Sequence, residues 1–66
     1  MSKAPTNDAY RHAAKAIEQS WQAIETLISQ TPNDDHYALG LLGPILSELR
    51  NAQSTIERLA PQQNNA

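Results

Sequence analysis

The sequence predicts an all-α protein: an antiparallel helical hairpin, its second helix kinked or broken at Gly43-Pro44, dimerising into a four-helix bundle. Three observations point there. The apolar residues are 39% of the chain and are mostly Ala and Leu, with no Val and no Phe, a choice that favours helix over strand. Two segments carry apolar residues at alternating spacings of four and three, the period of a helical seam. The connection between these segments is short, which makes helix neighbours antiparallel. A chain of 66 residues holds one domain at most.

The first helix is expected from about residue 8 to residue 30. Its seam is Tyr10, Ala14, Ile17, Trp21, Ile24 and Ile28. Ala13 and Leu27 widen the apolar stripe on one flank, and Arg11, Glu18 and Glu25 line the other. Thr6 or Asn7 is placed to cap the first amides, with Asp8 in the first turn, where a negative charge suits the helix dipole. Residues 1–6 read as a disordered lead-in and the hairpin as residues 7–60.

The second helix is expected from about residue 32 to residue 60, after a connection around Ser29 to Thr31. Its seam is Ala38, Leu42, Ile45, Leu49, Ala52, Ile56 and Leu59. Thr31-Pro32-Asn33-Asp34 reads as N-cap followed by the first three helical residues, with Pro pre-set for the first turn. Asn33 or Asp34 is an alternative cap. Pro44 cannot donate to the carbonyl of Gly40 and crowds it. The helix either kinks there and continues, or stops near Leu42 and restarts at Gly43-Pro44. The heptad phase passes through Pro44 unbroken, which favours the kink, and Gly40 eases the bend. The polar tail over 61–66 follows a helix-stopping Pro61 and reads as disordered.

Aligned about the connection, the two seams pair Ile24 with Leu41 or Leu42, Trp21 with Ile45, Ile17 with Leu49, Ala14 with Ala52 and Tyr10 with Ile56. The Ala14–Ala52 layer is thin and lets the backbones approach. A lone hairpin has one interface, and a chain this small needs a staple or a partner. No Cys is present to form a disulfide, so a partner is expected. Leu39, Leu41 and Leu46 flank Leu42 and Ile45, so this stretch is apolar over most of its circumference. Two neighbours cover such a helix in a four-helix bundle. The expected interface is therefore Trp21, Leu39, Leu41, Leu42, Ile45, Leu46 and Leu49. The expected partner is a second copy, with another protein as the alternative.

Candidate chemistry is sparse, and no catalytic residue, metal or cofactor is expected. Asp34-Asp35-His36 resembles a ligand cluster, but adjacent helical residues diverge, and acids at a helix start serve the dipole. His12 is isolated, with Asp8 as its nearest acid at helical spacing. No Ser stands in a nucleophile elbow. Gly40-Leu41-Leu42-Gly43 is too apolar for a phosphate loop and reads as a site of close helix packing. Trp21 reads as core, or as an interface anchor. With a net charge of −2, strong non-specific nucleic-acid binding is not expected. Arg11, Lys15, Arg50 and Arg58 gather toward the end bearing the termini, where Asp8 comes near Arg58. Acids interrupt this basic set.

These readings imply a small non-enzymatic interaction protein, a regulator, adaptor or chaperone-like subunit working through apolar helix faces. The alternative is a dimeric nucleic-acid-binding regulator using Arg11, Lys15, Arg50 and Arg58. No apolar run is long enough to span a membrane, and the expected compartment is the cytoplasm.

Overall fold

The computed structural model describes residues 5–60. Two helices, α1 (Asn7–Gln30) and α2 (His36–Leu59), pack against each other as a hairpin. Residues 1–4 of the expected lead-in and the expected tail over 61–66 lie outside the described residues.

α1 begins where its chemistry allows. The Thr6 hydroxyl accepts from the Ala9 amide at 3.1 Å, and the Thr6 carbonyl accepts from Ala9 and Tyr10. Asp8 sits in the first turn as expected. Its carboxylate pairs with Arg11 on its own helix, at 2.8 Å. One turn of helix already brings Asp8 and Arg11 together, so no tertiary contact is needed to form it.

The start of α2 corrects the expected boundary. Its N-cap is Asp35, whose carboxylate accepts from the Ala38 amide at 3.1 Å. Thr31 is already committed to the other helix: its amide donates to Ile28 and its hydroxyl donates to the Leu27 carbonyl at 2.7 Å. It therefore closes the C-terminus of α1. Pro32, Asn33 and Asp34 form the reversal, in which Asp35 N–H donates to the Pro32 carbonyl and His36 N–H to that of Asp34.

α2 runs through Pro44 as one helix, so the reading in which the chain breaks there is set aside. Pro44 and Gly40 are both exposed. The carbonyl deprived of its donor by Pro44 thus lies on the solvent side, where longer or missing helix bonds are tolerated.

The seam between the helices is close at Ala14, the one buried hydrophobic among the described residues, at 7% exposure. Ala52 is half-buried, in keeping with a thin alanine layer. Ile17, Ile24, Ile28, Leu42, Leu49 and Ile56 are also half-buried. The glycines do not contribute to this closeness. A Cβ built on Gly40 or Gly43 would meet nothing within 4 Å, so their expected role in close packing is not found between α1 and α2.

The cap assignment predicts a clear pattern in urea unfolding at one fixed protein concentration. Asp35→Ala should lower stability by about 1 kcal/mol, and Asp35→Asn should retain most of it. Asn33→Ala should stay within about 0.5 kcal/mol of the parent.

Candidate functional site

Two sides of the hairpin differ in chemistry. One side carries a groove with charged side chains around an apolar floor; the other carries the bare Leu27, Leu41 and Ile45.

The groove lies toward the termini; Tyr10, Ala14 and Ala60 supply apolar lining, and Asp8, Arg11, His12, Lys15, Glu18, Gln53 and Glu57 supply polar lining. Contact between the start of α1 and the end of α2 is what an antiparallel pair requires. Trp21 anchors the loop-ward edge of the groove. Its indole N–H donates to the Gln53 side-chain carbonyl, and the Gln53 amide donates in turn to Glu57 at 3.1 Å. Gln53 is thus used in both of its capacities, acceptor and donor. The Arg50 guanidinium lies 5.1 Å from the centre of the Trp21 ring, within cation–π range.

Trp21, expected on the seam opposite Ile45, is half-buried like the other large seam residues, and its indole reaches residues further along α2. The direction of helical side chains explains the difference. Every Cα–Cβ bond tilts toward its own helix N-terminus. In an antiparallel pair, Trp21 therefore leans toward the termini while Arg50 and Gln53 lean toward the loop, and they meet between.

The residues expected at an interface divide into two groups. Leu39, Leu42, Leu46 and Leu49 are half-buried along α2. Leu41 and Ile45 remain 53% and 41% exposed. Leu27 of α1 and Leu59 of α2 are similarly bare, at 47% and 60%. Tyr37, at 81%, stands in the first turn of α2.

The basic residues are placed less favourably for a shared patch. Arg11 is paired with Asp8, and Arg50 is laid over Trp21. Lys15 shares the groove with Glu18 and Glu57. Arg58, exposed, lies in the last turn of α2, where a cation complements the helix dipole. Asp35 of the acidic cluster is occupied as a cap, which is the role expected of these acids.

Sequence reasoning assigns no role to Gln53 and Tyr37. For Gln53 a signal exists: a Trp on a seam needs an acceptor for its N–H, and Gln53 flanks the α2 seam. For Tyr37 there is none, because its exposure follows from where α2 starts. No protein-family model, curated protein or solved structure matches this chain. Among the described residues, no helix is long and apolar enough to cross a membrane.

The Trp21–Gln53 bond should be measurable as a coupling. Trp21→Phe and Gln53→Leu are each expected to cost about 1 kcal/mol. The double variant should show a coupling of about 1 kcal/mol, because both changes delete the same bond. Denaturant titration of the four proteins of the cycle measures this.

Proposed function

We propose that this protein is a non-enzymatic helical interaction module, a regulator, adaptor or chaperone-like subunit, whose apolar helix faces bind first a second copy of itself. The observation that carries the proposal is the exposure of Leu27, Leu41, Ile45 and Leu59 on a molecule whose one buried hydrophobic, among the described residues, is Ala14. Large apolar side chains of this number on so small a chain favour association, since apolar burial is the main force in assembly. A four-helix bundle made of two hairpins supplies the missing neighbours. Of the residues expected at the interface, Leu41 and Ile45 lie with Leu27 and Leu59 among the bare side chains and carry the proposed contact, whereas Leu39 and Leu46 fall on the Gln53 stripe of α2, seven residues apart, and Trp21 is bonded to Gln53.

Two observations support a non-enzymatic role. No charged side chain among the described residues is buried, and burial is a common way in which catalytic acids and bases are tuned. The groove lined by Lys15, Glu18 and Glu57 carries mixed charge in open contact with water. The alternative, a nucleic-acid regulator acting through Arg11, Lys15, Arg50 and Arg58, has weaker support, because carboxylates or Trp21 engage or accompany three of these four. A cytoplasmic location belongs to the same proposal.

Sedimentation at low micromolar concentration should give about twice the chain mass. Leu41→Asp or Ile45→Asp should lower that mass toward the monomer, while Glu57→Lys should leave it unchanged. Equal and negligible effects of all three substitutions would contradict the proposal. On immobilised heparin or RNA the protein should elute without salt-dependent retention; a steep salt dependence would favour the nucleic-acid reading instead.

A further inference from the structure

We infer that the loop half of the hairpin, around Leu41, is a docking surface for a cationic amphipathic helix, one whose apolar stripe has Lys or Arg at both ends. It rests on the interaction role proposed above and goes beyond it by naming the chemistry of a partner other than a second copy.

Charge separates along the hairpin. Residues 16–49, which run out to the loop and back, contain no Lys and no Arg. Their charged side chains are Glu18, Glu25, Asp34, Asp35 and Glu48. Arg11, Lys15, Arg50 and Arg58, the cations of the described residues, lie toward the termini. Arg50, the nearest of them to Glu48 along the chain, is laid over Trp21 on the other side of the seam. The backbone adds to the negative field at the loop. α1 ends there with no basic residue in its last turn, so the negative end of its dipole has no cation to meet. The positive start of α2 is met by its cap, Asp35.

Bare apolar side chains lie in this same half. Tyr37, Leu41 and Ile45 follow one another at one-turn intervals along α2, and Leu27 stands beside them on α1, all exposed. Acids bracket them lengthwise. Asp34, exposed, precedes the start of α2. Glu48, also exposed, lies two turns beyond Leu41 on the same stripe. The two acids are about 20 Å apart along the helix, with no cation between them. The neighbouring exposed positions on α1 are Ala23, Thr26 and Gln30, which carry no charge.

A partner for this surface must cover the apolar stripe and bring positive charge to each end of it. An acidic helix, an anionic lipid surface or a nucleic-acid backbone meets like charge at both ends. A straight stripe with one-turn steps suits another helix, whose apolar residues recur at the same period. About 20 Å corresponds to a helical segment of about 14 residues. Charges more than about 8 Å away are largely screened at physiological ionic strength. Asp34 and Glu48, which adjoin the stripe, therefore set the specificity, and Glu18 and Glu25 act only on approach. Leu27, Leu41 and Ile45 also carry the proposed self-contact, so the cationic helix and the second copy compete for one surface.

The probe is a labelled peptide of about 14 residues, with Leu at helical spacing and Lys elsewhere; the control has Glu in place of every Lys. By fluorescence anisotropy, the Lys peptide should bind at least about ten-fold more tightly than the Glu peptide. Leu41→Ser should weaken binding about ten-fold, and Glu48→Lys about five-fold. Glu57→Lys makes the same change in net charge in the other half and should weaken it less than about two-fold. Both sites of substitution on the stripe are exposed, so circular dichroism should show unchanged helicity. Equal effects of Glu48→Lys and Glu57→Lys would mean general attraction to a negative protein and would overturn the inference. Full binding by Leu41→Ser would overturn it as well. Sedimentation without peptide separates the two proposals. A dimer that ignores the Lys peptide leaves the second copy as the occupant and overturns the cationic partner. A monomer that binds the peptide with the stated pattern supports the cationic partner and overturns self-association.

Discussion

A chain of two helices has one seam, and everything else in this structure depends on what that seam can bury. Here the seam buries little. Its closest layer is alanine, its larger side chains are half-covered, and the molecule measures 14 Å in its thinnest direction, the thickness of one layer of helices. An apolar stripe wider than one neighbour can cover is a standing drive toward association. The proposed function derives from this imbalance between stripe width and number of neighbours.

Local chemistry holds the two helices in register. Thr6 and Asp35 cap the starts, and Thr31 closes the end of α1 so that Pro32, Asn33 and Asp34 can reverse the chain. The Trp21–Gln53–Glu57 relay, with Arg50 over the indole, is the polar contact that joins the helices directly. It sits on the side of the seam opposite the bare leucines. The polar bonds between the helices thus lie on one side of the seam, and the bare Leu27, Leu41 and Ile45 on the other.

Much of this is legible in the sequence, and the failures have physical causes. The four–three spacing from Tyr10 to Ile28 and from Ala38 to Leu59 marks both helices, because that period needs no knowledge of tertiary contacts. Thr6 is readable as a cap for the same reason. Thr31 is not readable as the end of α1: its hydroxyl is an acceptor for a following helix and a donor for a preceding one, and the sequence alone does not rank the two. Gly40 and Gly43 suggest close packing, but which side of α2 meets α1 is a tertiary fact, and they lie where nothing approaches. The partner of Trp21 escapes position-by-position pairing because such pairing ignores the lean of long side chains. The division of the leucines into half-buried and bare is beyond the period too. The heptad gives the width of the stripe, and says nothing of how a single neighbour divides it.

Assembly and folding should then be a single equilibrium, and the concentration dependence of thermal unfolding tests this most directly. Followed by far-ultraviolet circular dichroism over a hundred-fold range of protein concentration, the midpoint should rise with concentration, as mass action requires when the folded state is a dimer. A cooperative midpoint that is the same at every concentration would mean that the hairpin holds itself together alone, and would contradict the account.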